Sequence, residues 1–260
     1  MTPLQSPSFE SLETDRTAQG REEAGPTELV SVILPTFNER ENILNTISAI
    51  LAHVRPAVEI IVVDDDSPDK TWQLVDELGD PRVKVIRRVG TRGLASAINR
   101  GILESRGGIV GWMDADLSMP AELLPALISK TGQAEVVVGS RYVEGGRDDR
   151  PALRVWSSRL VNGLASLVLG HGIKDYDSGF IVLRRAVFDR VTLMPIGYGS
   201  YFIDLLYGCA RSGMTVLEVP YTFTDRTRGV SKSSPTLWQF FTAGLAYVAT
   251  IFLTRLRPGR

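Results

Sequence analysis

The stretch from Val58 to Asp69, VEIIVVDDDSPD, sets a continuous apolar run, broken only by Glu59, directly against a cluster of acids. A short run apolar at nearly every position reads as a strand buried on both faces, the kind found in parallel sheets flanked by helices. Such sheets collect their ligands beyond the carboxyl ends of the strands, which is where Asp64, Asp65 and Asp66 fall. Working outward, the same grammar repeats. Upstream, Val30 to Leu34 (VSVIL) reads as a strand ending at Pro35-Thr36-Phe37-Asn38-Glu39, and Asn42 to Leu51 as a helix. Downstream, helical spacing covers Lys70 to Leu78, Gly93 to Ser105 and Ala121 to Ser129, with strands at Val83 to Ile86, Ile109 to Met113 and Glu135 to Val138. The alternation predicts an α/β fold with a mostly parallel, Rossmann-like sheet and helices on both faces.

Beyond Arg141 the rhythm breaks. Glu144 to Pro151 reads as a Gly- and charge-rich loop, Arg154 to Leu169 and Tyr201 to Ala210 as helices, and Phe180 to Leu183 as a strand. Val216 to Phe223 reads as a strand interrupted by Pro220 and so placed at an edge. Leu237 to Leu253 is almost wholly apolar and is followed by Arg255, Arg257 and Arg260. It is at the short limit for a span of about 20 residues, so a short span and a helix lying in the membrane interface are both open, as is a buried helix. Residues 1–28, rich in Ser, Thr, Glu, Pro and Gly, read as a disordered tail without a secretory signal.

The 260 residues suit one large domain with short appendages. A formal net charge of -1 gives no electrostatic footprint for nucleic acid, and none is expected as a partner. Cys209 is the single cysteine, which excludes an internal disulfide and suits a reducing compartment. His53 and His171 are the only histidines, too few for a histidine-rich zinc site. No G-x-G-x-x-G follows the first strand and no Walker lysine is present, which disfavours a dinucleotide oxidoreductase and a P-loop enzyme.

Chemistry concentrates at Asp114-Ala115-Asp116, the end of the fourth strand. Residues two apart in an extended segment face the same way, so both carboxylates can hold one hard divalent ion, Mg2+ or Mn2+, which would also bind a diphosphate. The competing role, a cap by Asp116 or Ser118 for the next helix, is outweighed by the strand-end position. Asp65 suits hydrogen bonds from a base or ribose, and Phe37 suits stacking on a base. Gly90 to Leu94 reads as a plain turn opening a helix. Arg141, at the end of the fifth strand, and Arg226, Arg228 and Lys232 in a late basic loop suit phosphates.

The segments PTFNERENI, VVDDDSPDKT, RGLASAINRGI, MDADLSMP, VVGSRY, DYDSGF, EVPYTF and DRTRGVSK run in this order from about Val30 to Ser234. Together they resemble the dolichol-phosphate (polyprenol-phosphate) mannosyltransferases, inverting family 2 glycosyltransferases of the GT-A fold. The resemblance implies one catalytic domain over 29–234 followed by a membrane-associated helix over 235–260. It implies nucleotide-sugar binding by Pro35, Phe37, Glu39, Val63, Asp65, Ala115 and Ser118, and metal and diphosphate binding by Asp114 and Asp116. It implies a phosphate contact from Arg141, the third member of the expected catalytic set, and a phosphate clamp from Arg226 and Lys232. GDP-mannose as donor, a polyprenyl phosphate as acceptor, and work at the cytoplasmic face of a membrane follow from the same resemblance. A homo-oligomer or a small membrane partner is left open.

The sequence departs from the family pattern at Phe37 (usually Tyr), Ser118 (Gln in some relatives), Ile181 (usually Arg) and Asp204 (usually Glu). A phosphate monoester is largely ionised at neutral pH and attacks without a general base. A hydroxyl acceptor would need one, and Asp177 and Asp204 are the weak candidates. The alternatives are a related transferase using a UDP-sugar and, from another class, a non-catalytic nucleotide-sugar-binding subunit, against which the intact Asp114/Asp116 pair argues.

Overall fold

The computed structural model describes residues 28–55, 57–195, 197, 199–224 and 237–257. The tail expected over residues 1–28 lies outside them except at its last position. Four strands, β1 (Val30–Thr36), β2 (Val58–Asp64), β3 (Val83–Arg87) and β4 (Ile109–Trp112), pair in parallel in the order β3-β2-β1-β4. The helices between them are α1 (Ile43–His53), α2 (Thr71–Asp76) and α3 (Leu94–Glu104). Every residue of β2 is buried, as its unbroken apolar run predicts.

Alternation along the strands splits the core in two. Ile33, Ile61, Val63 and Trp112 point to the layer holding α3, while Val32, Leu34, Ile60 and Val62 point to the layer holding α1. On the α3 side, Gly101 permits a close approach, because a Cβ there would lie 2.4 Å from the Ile33 side chain.

The second half is mixed. After a 3-10 turn (Ala121–Leu123), α4 (Leu124–Lys130) begins with Pro125, whose missing N–H costs nothing in a first turn. β5 (Val136–Ser140) and β8 (Val216–Pro220) extend the sheet in parallel, with β8 at the expected edge. Between β4 and β5 lies β7 (Ile181–Arg184), antiparallel to both. The single strand expected from Val216 to Phe223 is in fact divided. Past Pro220 the chain leaves the sheet, and β9 (Thr222–Phe223) pairs with β6 (Arg147–Asp148), inside what reads in sequence as a loop. The helices are α5 (Ala152–Leu169), α6 (Ser200–Arg211) and α7 (Leu237–Leu256), and α7 packs on both α5 and α6. Among the described residues no helix is long and apolar enough to cross a membrane.

Candidate active site

The carboxyl ends of β1, β2 and β4 converge on a cleft of about 280 Å³. Pro35, Phe37 and Glu39 enter from β1, Asp65 from β2, and Asp114, Ala115 and Asp116 from β4. Its fourth side is the start of α3, where Arg92, Gly93, Leu94 and Ala97 line it. This side was not read from the sequence, which gives Gly90 to Leu94 only as a turn. The signal was an arginine and a glycine just past the third strand of a sheet whose other strand ends were already suspect. Arg92 places its guanidinium 4.3 Å from the centre of the Phe37 ring, so the aromatic residue expected to stack on a base already carries a cation.

Local hydrogen bonds fix the acidic turn. The Thr46 hydroxyl of α1 donates to the Ala115 carbonyl at 2.9 Å, pinning the peptide between the two aspartates. Asp116 Oδ1 accepts from the Ser118 N–H at 3.1 Å and the Ser118 hydroxyl at 2.6 Å. Ser118 therefore orients Asp116, whatever further role it has. Leu117 takes left-handed backbone, φ 63°, a conformation that costs a non-glycine residue about 1 kcal/mol or more and recurs at functional turns. The two aspartates lie in no group of three or more acidic, His or Cys side chains among the described residues. Two hard oxygen ligands with room for diphosphate oxygens fit a magnesium-type ion, which keeps most of its shell for substrate and water.

Asp65 is more engaged than its sequence context indicates. Its Oδ1 pairs with the Arg88 guanidinium and its Oδ2 accepts from the Gly93 N–H at 2.8 Å. It thereby ties the start of α3 to β2 and shapes the cleft wall it lines. Glu39 is buried, with Oε2 accepting from the Asn42 amide at 3.0 Å. The Val63 side chain lies in the core on the α3 side and is not among the cleft-lining residues.

Arg141 is also outside this cleft. Its Nε and Nη2 donate to Asp175 at 2.8 and 2.7 Å, its backbone N–H donates to the same carboxylate, and the Asp177 carbonyl accepts from Nη2 at 2.9 Å. Both members of the Arg141–Asp175 pair are buried. Asp175 had no role in the sequence reading. Ile181, where the sequence departs from the family pattern, begins β7 opposite Trp112 and is fully buried in the apolar cluster on the α3 side of the sheet. Of the two weak base candidates, Asp204 is bound to Arg257 at 2.6 Å on the α6–α7 side, away from the cleft. Asp177 accepts from the Tyr247 hydroxyl of α7 at 3.1 Å, and burial raises its pKa while Arg141 opposes the rise. A larger cavity, about 940 Å³, lies between α6 and the end of α7, but its arginines serve the fold: Arg257 holds Asp204 and Arg190 holds the Ser212 carbonyl. Arg226, Arg228 and Lys232 lie outside the described residues.

The sequence pattern of Glycosyl transferase family 2 matches residues 31–192, which contain this whole cleft. The chain belongs to that family. It is similar to the polyprenol monophosphomannose synthase of Mycolicibacterium smegmatis, 41% identical over 219 residues that cover 80% of this chain and 82% of the relative. It is also similar to the dolichol-phosphate mannosyltransferase of Pyrococcus furiosus (44% over 210 residues, 78% of this chain) and the undecaprenyl-phosphate mannosyltransferase of Micrococcus luteus (35%, covering 79% of this chain and 87% of that one). The chain spans 58% of the length of the P. furiosus relative. Among solved structures, glucosyl-3-phosphoglycerate synthase from Mycobacterium tuberculosis, in complex with Mn2+, UDP-glucose and phosphoglyceric acid, superposes with a TM-score of 0.66. The identity there is 21%, over 89% of this chain and 81% of that one. At that identity the likeness shows the fold, and the GT-A architecture of this glycosyltransferase agrees with it.

Proposed function

We propose that this glycosyltransferase moves mannose from GDP-mannose to the phosphate of a polyprenyl lipid, with inversion at the anomeric carbon. The observation that carries the reading is the pair Asp114 and Asp116 on the rim of a nucleotide-sized cleft, in a chain over two-fifths identical to a polyprenol monophosphomannose synthase. Asp114 and Asp116 would hold Mg2+ or Mn2+, which when bound supplies charge neutralisation on the departing diphosphate. Phe37 and Arg92 present a stacked surface to the base, while Glu39 and Asp65 shape the wall beside it. The acceptor phosphate is itself the nucleophile, so the protein's work is to hold two anions in line and exclude water. The burial of Arg141 on Asp175 gives it a positioning role at the end of β5, and the sequence assigns Arg226 and Lys232 to the phosphates. The acceptor is a membrane lipid, so the protein works at a membrane surface.

The test is to offer the protein GDP-mannose, UDP-glucose and a UDP-aminosugar in turn, each with a short polyprenyl phosphate, with and without chelator. Lipid-linked mannose that disappears with chelator is the expected result. Transfer from a UDP-sugar alone would reassign the donor, and nucleotide binding without transfer from any donor would point to a non-catalytic subunit.

A further inference from the structure

Arg87 and Arg88 are adjacent in sequence, and they pair with the adjacent acids Asp66 and Asp65 in two different ways. The Arg87–Asp66 pair is a surface contact, its side chains 43 and 35% exposed, and Arg87 also lies 4.1 Å from the centre of the Trp72 ring. The Arg88–Asp65 pair is enclosed, at 8 and 9%. A surface pair contributes little, whereas an enclosed pair is tolerated only where the remaining donors and lone pairs are also satisfied. Arg88 meets that condition. Its Nε and Nη2 both donate to Asp65 Oδ1, Nη2 also donates to the Gly93 carbonyl at 3.1 Å, and Nη1 donates to the Ser96 hydroxyl at 3.0 Å. One side chain, just past β3, thus joins the end of β2 to the first turn of α3.

These contacts stand directly behind the cleft: Asp65 and Gly93 line it, and Arg88 does not. A carboxylate has about four lone-pair sites, two on each oxygen. Among the described residues Arg88 takes both on Oδ1, and the Gly93 N–H takes one on Oδ2 at 2.8 Å. What Asp65 can offer a ligand is the remaining site on Oδ2, and Arg88 sets its direction. The same fork fixes the opposite wall. Gly93 opens α3 without a side chain to cap it, so the fastening falls to Arg88 and to the Ser96 hydroxyl, which donates to the Gly93 carbonyl at 2.8 Å. The residue before Gly93 is Arg92, whose guanidinium lies over the Phe37 ring.

We infer that Arg88 is a positioning residue for nucleotide recognition: from behind the cleft it holds the Asp65 carboxylate and the Arg92–Phe37 wall in one fixed arrangement, so that the base meets a pocket already formed. Arg88 itself touches no substrate. The inference rests on the reading of this cleft as the nucleotide site. It concerns affinity and not the transfer step, because the Asp114 and Asp116 turn is held separately, by Thr46 and Ser118. A pocket that must be ordered at the moment of binding loses affinity by the cost of the ordering.

The experiment is calorimetry of the full chain with GDP or UDP and Mn2+, alongside steady-state transfer assays. Arg88→Lys keeps a charge beside Asp65 but has no planar fork to bridge Asp65, Gly93 and Ser96 together. It should weaken nucleotide binding and raise the donor KM about tenfold, with kcat within about twofold of the wild type. Arg88→Ala should weaken binding further. Free guanidinium, well below concentrations that unfold proteins, should restore part of that loss, and ammonium at the same concentration should not. Guanidinium has a way in, because Arg88 lines a cavity of about 390 Å³ on the side away from the cleft. Arg87→Ala, the surface counterpart, should leave KM and kcat unchanged. Melting curves check the fold of each variant, and Arg88→Lys, which retains an ion pair, decides the matter if Arg88→Ala does not fold. Wild-type KM in Arg88→Lys would overturn the inference, as would a fall in kcat at unchanged KM, which marks a plain loss of folded protein. A wild type that binds UDP and not GDP would reassign the donor and leave the role of Arg88 standing. A wild type that binds neither would overturn the reading of the cleft, and the role of Arg88 with it.

Discussion

The two halves of the sheet solve opposite problems. Around β1 to β4 the strands are parallel and covered on both faces, and their polar residues collect at one rim, where the backbone is tied down by contacts such as Thr46 to Ala115 and Asp65 to Gly93. From β5 onward no strand end lines the cleft, the Arg141–Asp175 pair is buried away from it, one strand runs backward, and helices leave apolar residues in water. The first half is built to grip a soluble, highly charged molecule. On the proposed function, the second half meets an apolar phase. The proposed function needs both surfaces on one scaffold.

The sharpest way to break this contrast is Asp116→Ala. If the first half holds the metal, transfer should fall on the order of a thousandfold while the loss of the Ser118 contacts costs only about 1–3 kcal/mol of stability, by radiolabel assay and calorimetry. A variant that remained active would dissolve the distinction. In the second half the corresponding change should act on stability. Asp175→Ala leaves the Arg141 guanidinium buried and unpaired, at a cost of about 3–5 kcal/mol in urea unfolding. Loss of activity with no loss of stability would instead make Asp175 part of the chemistry. Arg92→Ala is expected to weaken nucleotide binding about threefold, as calorimetry would show, because it removes one stacked cation at an exposed edge.

The smallest effect concerns pH. Burial holds the Asp177 pKa above its ordinary 3.8, with Arg141 opposing. The folded carboxyl keeps its proton where the unfolded one has lost it, so stability declines as pH climbs from 3.8 through the raised value. Asp177→Asn keeps an oxygen for the Tyr247 hydroxyl and should remove this decline. The melting curves of variant and wild type should then coincide at the acid end and separate above it. Curves that stay parallel throughout would mean that Asp177 ionises as it does in water.

The same contrast decides what the sequence could disclose. Strands buried on both faces announce themselves as apolar runs, and the acids that end them stand out, so β1 to β4 and the Asp114/Asp116 turn were legible. The Arg92 wall was not, because a short turn between two elements has no periodicity and its meaning depends on which strand end it faces. Asp175 was hidden because its partner is 34 residues away, and nothing local marks an acid as buried. The direction of β7 was equally hidden: three apolar residues and an arginine read the same either way, and only the sheet decides. On α5 the helix was legible but its buried face was not, because Ser158 and Asn162, polar in the sequence, lie on the covered side while Leu160 and Leu167 face solvent.

The place of β7 has a consequence for how the molecule is made. On a ribosome, the strand bearing Asp114 is synthesised about 70 residues before the segment that completes its hydrogen bonding, Ile181 to Arg184. Until that segment emerges, β4 is an open sheet edge that invites mispairing. The Asp114/Asp116 turn can reach its final geometry only after β7 has been translated, so a nascent chain stalled before that point should bind neither nucleotide nor ion.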